Sequence, residues 1–119
     1  MAQAAKTSDW NSPTLGQYAT GDALSVISRS LYADHLNGLV TKGNPKNFPK
    51  VTSAKPAANP STVMISDCGD STHWLKYRKG NGKLADEGGG RRAITAEVKR
   101  QAPGPWRVTR FAVEGLGSC

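Results

Sequence analysis

The sequence predicts an α+β domain in which N-terminal helices pack on one face of a curved antiparallel sheet. Apolar residues recur at helical spacing over residues 22–37. From residue 50 onward, apolar and polar residues alternate with a period of two, and glycine- and proline-rich turns separate the segments. Helices followed by a run of strands are typical of α+β domains. The 119 residues form one domain, and no apolar run is long enough to span a membrane.

The chain before residue 21 is predicted to contain short helices. Residues 1–9 are compatible with a helix that is too short to be stable alone. Ser12 followed by Pro13 is typical of a helix start, with Ser12 as the N-cap. We expect Leu15 and Tyr18 to face inward from this helix.

The clearest helix is expected over residues 22–37, with Thr20 or Asp22 as its cap. Gly38 is well placed to end it. Its predicted apolar stripe consists of Leu24, Ile27, Leu31 and Leu36.

A loop should follow the long helix, because glycine and two prolines interrupt residues 42–49. We then expect strands over residues 50–55, 62–68, 72–78, 91–101 and 106–114. The predicted connections are a corner or bulge at 69–71, a hairpin at 80–82, a flexible tip at 86–90 and a turn at 103–105.

The formal net charge of +7 belongs to the C-terminal third of the chain. Between Lys76 and Arg110 there are ten basic and three acidic residues, whereas the rest of the chain has six of each. A basic sheet face of this kind attracts nucleic acid, anionic lipid or acidic cell-wall polymer, or it serves only to keep the domain in solution. The expected partner is a protein or an anionic cell-surface ligand. Specific nucleic-acid binding is not expected, since no known motif accompanies the charge. The predicted face comprises Lys76, Arg78, Arg91, Arg92, Arg100, Arg107 and Arg110.

The two cysteines, Cys68 and Cys119, leave two states open, one disulfide or two free thiols. A disulfide would close a loop of about 50 residues, stabilise the fold by roughly 4 kcal/mol and indicate export to an oxidising compartment. The sequence begins without a signal peptide. Either an export signal lies upstream, or the protein is cytosolic and the thiols are free. No CxxC or Cys/His cluster occurs, so no metal site is predicted.

Asp67, Asp70 and His73 lie close together in the sequence. A His–Asp pair can perform acid–base chemistry when the carboxylate orients the imidazole ring. The alternative is that the aspartates cap turn amides and the histidine is half-exposed. His35, near the end of the long helix, is a further candidate, although the helix dipole favours a histidine there without any function.

A curved sheet wrapped on a helix leaves a concave mouth, which holds a small molecule when it is roomy. The aromatic residues belong mostly to the core, and the candidates for lining such a pocket are Tyr18, Tyr32, Trp74 and Trp106. No serine stands in a GxSxG setting, and no phosphate-binding loop is present. The sequence therefore assigns no catalytic residue and no cofactor.

Four stretches carry a resemblance to a known group of proteins: DCGDSTHWL at 67–75, GGRRAITAEV at 89–98, WRVT at 106–109 and VEGLGSC at 113–119. Over about residues 6–119 the chain resembles small exported or lipid-anchored proteins of high-GC Gram-positive bacteria. These proteins look like members of the nuclear transport factor 2-like (cystatin-like cone) superfamily. The resemblance implies a cone fold whose first helix is cut short, and a disulfide between Cys68 and Cys119.

Enzymes of that superfamily, such as polyketide cyclases and ketosteroid isomerases, use an aspartate or a His–Asp pair inside the cone. No residue here matches those motifs one by one, so no catalytic role is carried over. The expected function is an exported, non-enzymatic module that binds a protein partner or an anionic ligand. The alternative is a small-molecule-binding protein or enzyme of polyketide-cyclase type. A homodimer is also open, because a missing first helix would expose apolar surface.

Overall fold

A computed structural model describes residues 1–86, 88–101 and 104–119. Glu87 of the predicted tip and Pro103 of the predicted turn lie outside the described residues. Within the described part, three helices precede or flank six strands, which confirms the α+β class. The helices are α1 (Ala2–Ala5), α2 (Leu15–Tyr18) and α3 (Gly21–Leu36). The strands are β1 (Leu39–Gly43), β2 (Lys50–Lys55), β3 (Thr62–Asp70), β4 (Trp74–Arg78), β5 (Arg91–Arg100) and β6 (Trp106–Val113).

The strands form two antiparallel sheets. One has two strands, β1 and β4, and the other has four, in the order β2-β3-β5-β6. The segment before α3 contacts the four-stranded sheet. Ala19 pairs in parallel with Val108 of β6, and the Thr20 amide donates to the Val108 carbonyl. This contact fixes the start of α3 at the β6 edge.

The long helix follows the prediction except at its last turn. Leu31 is buried, Leu24 and Ile27 are half-buried, and Gly38 ends the helix with a φ of +65°. Leu36 is 66% exposed, so its placement in the apolar stripe was wrong. At 3.6 residues per turn it lies roughly 140° around the helix from Leu31. Asp34, three residues after Leu31, takes the buried position instead.

The shorter helices differ from the prediction at their boundaries. The second begins at Leu15 with Thr14 as N-cap, and the Ser12 hydroxyl lies 2.8 Å from that of Thr14 rather than capping an amide. Leu15 is buried, but Tyr18 is 69% exposed, so its inward orientation was wrong. Tyr18 is the last helical residue and lies roughly 60° around the helix from Leu15, but the chain becomes extended at Ala19, which is buried in its place.

Two strand predictions were also wrong. Residues 39–43 form β1, which pairs with β4 from Leu39↔Arg78 to Gly43↔Trp74. A strand of five residues with one buried side chain is too short to show a period in the sequence. The predicted corner at Gly69 is absent, because β3 continues to Asp70, paired with Arg91. A Cβ on Gly69 would come within 2.7 Å of Ile94 Cδ1, so this glycine permits close packing inside a regular strand.

The four-stranded sheet has an inner and an outer face, which follow from the register because directly paired residues share a face. Arg92 and Leu31 of α3 line one cavity, so the face of Arg92 is the inner face, turned towards the helices. Its apolar residues are Val51, Ala54, Val63, Ile65, Ile94, Ala96, Val98, Trp106, Val108, Phe111 and Val113.

The core is small, as expected for a thin molecule of 53 × 31 × 18 Å. It consists of Ala4, Ala5, Leu15 and Leu31, with Leu24, Ile27 and Trp74 packed against it. A disulfide joins Cys68 to Cys119 with a Cα–Cα distance of 5.8 Å, which confirms that predicted link. Among the residues described, no helix has both the length and the apolar character to cross a membrane.

Candidate functional site

The two aspartates of the predicted acid–base group each hold a backbone turn. The Asp67 carboxylate accepts hydrogen bonds of 2.6 Å from Asn47 Nδ2 and from the Phe48 amide, which fixes the loop before β2. The Asp70 carboxylate accepts from the Thr72 hydroxyl at 2.6 Å and from its amide at 2.9 Å. Both aspartates therefore have the capping role that was the alternative to catalysis.

The Thr72 hydrogen bonds lower the pKa of the Asp70 carboxyl below its ordinary value, and Arg91 adds to the effect at 4.0 Å. Asp67 and Asp70 lie on opposite faces of the sheet, since Asp67 pairs with Ile94 and Asp70 with Arg91. His73 is exposed in the loop before β4. The three side chains thus do not form an acid–base site.

The other predicted pocket residues are dispersed. Tyr18 is exposed, and Tyr32 packs edge-to-face with Trp10 at 5.1 Å on the exposed side of α3. His35 is exposed in the last turn of α3. Trp106 lies 5.6 Å from the Arg100 guanidinium, near the end of the sheet. Among the predicted aromatic residues and His35, Trp74 is the one that lines a cavity next to the core.

That inner cavity has a volume of about 320 Å³ and lies between the N-terminal residues, α3, β1 and β4. Lys76 Nζ and Asp34 Oδ1 form an ion pair of 3.0 Å at its wall. The buried Trp74 Nε1 has no acceptor among the described residues. The cavity can therefore offer an indole N–H to a ligand, while the ion pair neutralises its buried carboxylate. Its principal lining residues are Leu31, Asp34, Thr41, Trp74, Lys76 and Arg92.

The seven residues predicted to form one basic face lie on three surfaces. Arg91 and Arg92 are neighbours in β5 and therefore point to opposite faces of the sheet. Arg92 and Arg100 lie on the inner face, and Lys76 and Arg78 belong to the two-stranded sheet. The outer face retains three of the seven, Arg91, Arg107 and Arg110.

Three lysines outside that predicted set complete the outer face of the four-stranded sheet. The register places Lys50, Lys55 and Lys99 beside the three arginines, so six cations face two carboxylates, Asp70 and Glu97. One cross-strand row contains Lys55, Thr62, Lys99 and Arg107. We call these six basic residues the cationic outer face.

Two bulges create this arrangement. Lys50 and Lys55 are five residues apart and would point to opposite faces of a regular strand, but the register shifts between Val51 and Ser53. Arg107 and Arg110 are three residues apart, and the register shift opposite Glu97 brings both to the outer face. A strict period of two could not have identified these pairs.

Glu97 is the carboxylate at the centre of the cationic outer face. It accepts from the Thr109 hydroxyl at 2.7 Å and from Arg110 Nη2 at 2.9 Å, and Lys99 Nζ lies at 3.7 Å. These contacts, led by the Thr109 hydrogen bond, lower the pKa of Glu97 below its ordinary value. The Glu97 carboxylate therefore partly neutralises two cations, Arg110 and Lys99.

A second cavity, of about 350 Å³, lies at the end of the cationic outer face and is called the end pocket here. Arg107 is half-buried, and its Nε is buried without an acceptor among the described residues. Among the described residues, no carboxylate lies within ion-pair distance of Arg107, whereas Lys99 contacts Glu97. The lining includes Thr20, Lys99, Gln101, Gly104, Arg107 and Thr109.

Comparison with known proteins reveals similarity at the level of the fold. No protein-family model and no curated protein sequence matches the chain. The crystal structure of the intermembrane space region of chloroplast protein ARC6 is similar, with a TM-score of 0.59 and 14% sequence identity. The match covers 94% of this chain and 90% of that one. Since identity is this low, the likeness extends to the α+β architecture and no further.

Proposed function

We propose that this protein is an exported, non-enzymatic binding module of the nuclear transport factor 2-like cone type. Its cationic outer face binds a polyanionic ligand at the cell surface. The observation that carries this proposal is the collection of six basic residues against two carboxylates on one face of the sheet. The disulfide supports export, because such links persist in oxidising compartments.

The spacing of the cations suits a ligand with repeated negative charges. Neighbouring strands are about 4.8 Å apart, and alternate residues along a strand are separated by roughly 6.8 Å. Lys99 lies beside Arg107 and diagonally from Arg110, so these three cations are within about one Debye length of each other at physiological salt and their potentials add. Lys50, Lys55 and Arg91 lie farther away and extend the positive potential over the rest of the face. A polymer with regularly spaced phosphates or carboxylates can contact several of them at once, whereas a single small anion cannot.

The test is the affinity for poly(glycerol phosphate) as a function of salt, measured by calorimetry or fluorescence anisotropy. The variant Lys50→Gln/Lys55→Gln/Lys99→Gln should bind at least ten times more weakly. The slope of log affinity against log salt should decrease by roughly one per lysine removed.

The matched control is Lys6→Gln/Lys79→Gln/Lys83→Gln, which removes three exposed cations from other parts of the molecule. It should retain affinity within about threefold, since long-range attraction alone is screened. Equal losses in the two triple variants would show that net charge, not this face, determines binding. Absence of binding at low salt would refute the proposal. Polyglutamate distinguishes a general polyanion site from one that requires phosphate.

A second candidate function, the binding of a small molecule, is favoured by one observation. Trp74 Nε1 is buried beside the inner cavity and lacks an acceptor among the described residues, which leaves a donor for a ligand carbonyl. Aromatic fragments that carry a ketone or amide are suitable probes. Binding should shift the Trp74 indole resonance in a ¹⁵N spectrum, and Trp74→Phe should weaken it at least fivefold. Fragments that leave this resonance unmoved would exclude the cavity as their site.

A further inference from the structure

We propose that the end pocket is a binding site for one phosphate group, held by Arg107 and Lys99 with the Thr20 hydroxyl. The inference deepens the proposed function and rests on it for the source of the phosphate, which is the polyanion on the cationic outer face. The site itself is defined by the geometry of the pocket. The end pocket would thus hold one phosphate of the polyanion in a defined position at one end of the cationic outer face.

The main evidence is the environment of Arg107. Its guanidinium belongs to a half-buried residue, and the buried Nε has no acceptor within the described part of the chain. A charged group removed from water is costly unless it is paired. Guanidinium groups bind phosphate through two parallel hydrogen bonds, which would satisfy both the charge and the donors. A phosphate is therefore the kind of partner that this side chain lacks.

Lys99 supplies the second positive charge. It is directly opposite Arg107 in the register of β5 and β6, a position at which two like charges repel each other. Glu97 lies 3.7 Å from Lys99 but also binds Arg110, so it only partly offsets the repulsion. An anion between Lys99 and Arg107 would remove it. Two cations match the charge of a phosphate monoester, about −1.5 to −2, better than that of a carboxylate.

The hydroxyl groups of the pocket have different roles. Thr109 donates its hydroxyl proton to Glu97 at 2.7 Å, so it has no proton left for a ligand. The Thr20 side chain makes no capping bond at the start of α3 and is free to donate. The cavity of about 350 Å³ leaves space for the group esterified to the phosphate. The pocket therefore suits the terminal phosphate of a larger ligand.

The experiment is an NMR titration of the full chain with inorganic phosphate at constant ionic strength, with acetate as the comparison. The Arg107 side-chain Nε–H and the Thr20 backbone amide should shift together and saturate at millimolar phosphate. Acetate should bind at least fivefold more weakly. Arg107→Gln should abolish the saturable shift of Thr20, and Arg107→Lys should weaken it by an intermediate factor.

The matched control is Arg29→Gln, which removes an exposed arginine from α3, outside both the end pocket and the cationic outer face, and should leave phosphate affinity within twofold. Equal weakening by Arg29→Gln and Arg107→Gln, or equal affinity for acetate and phosphate, would overturn the proposed site. Shifts of the unmodified protein that do not saturate would overturn it as well, independently of any variant. Saturation by phosphate without binding of poly(glycerol phosphate) would support the pocket and refute the polyanion function. The reverse result would refute only the pocket.

Discussion

Removal of the disulfide should destabilise this domain mainly by relaxing its unfolded state. Cys68 and Cys119 are separated by 51 positions, and the chain-entropy relation for a loop of this length predicts about 4 kcal/mol. Other contacts of the C-terminal tail with β5 are few. The amides of Glu114 and Gly117 donate to β5 carbonyls, the Glu114 carbonyl accepts from Arg92 Nη1, and the Ser118 hydroxyl accepts from the Ala93 amide. In Cys68→Ala/Cys119→Ala the native fold should therefore persist with a frayed tail.

The assay is urea unfolding followed by far-UV circular dichroism. With a slope of about 2 kcal/mol/M, the midpoint of the double variant should fall by roughly 2 M. The unmodified protein treated with a reductant is the control and should unfold at the same urea concentration as the variant. An unchanged midpoint in both would refute the reasoning. A midpoint lowered in the variant but not in the reduced protein would indicate that alanine, not the lost link, causes the effect.

Three further predictions concern packing, backbone and charge. Leu31→Ala should lower the free energy of unfolding by about 2–5 kcal/mol, because Leu31 is 1% exposed. The control Leu36→Ala should change it by less than about 0.5 kcal/mol. Equal effects of the two substitutions in urea unfolding would contradict the assigned core. Gly43→Ala should lower the free energy of unfolding by more than about 1 kcal/mol, because φ at Gly43 is +91° and a Cβ would overlap the backbone carbonyl of His73. The control Gly80→Ala should be tolerated, since the space around Gly80 is open. Thermal unfolding of the two variants measures the difference. The lowered pKa of Glu97 means that its contribution to stability is present above the unfolded value of about 4.5 and is lost as pH falls through the folded pKa. Urea midpoints of Glu97→Gln should therefore decline less below pH 4.5 than those of the unmodified protein, and parallel curves would refute the assignment.

The sequence predicted the elements with strong local patterns. The strand at Lys50–Lys55 has the predicted bounds, and α3 differs from its prediction by one residue at each end. Both have a clear period or clear turn residues at their ends. The short strand Leu39–Gly43 was missed because only Thr41 is buried in it, and its existence depends on pairing with β4. Such a segment acquires its structure from a distant partner.

The candidate site was harder to predict, since it depends on which side chains share a face. The capping role of Asp70 follows from a local turn at Thr72, whereas Asp67 binds Asn47 and Phe48 from a distant loop; capping was one of two open interpretations. The end pocket joins Thr20 to Arg107 across most of the chain, and no local pattern relates these two positions. Trp74 was a pocket candidate, but its missing acceptor becomes evident only from the packing around it.

The amino-acid order alone determined the α+β class and the concentration of positive charge in the second half of the chain, because composition and short-range periodicity carry both. The tertiary structure decided where that charge lies. Register shifts near Thr52 and Thr109 bring together basic residues that regular strands would have separated, and adjacent arginines diverge to opposite faces. A bulge depends on how two strands meet, so the cationic outer face became visible only when the strands were paired.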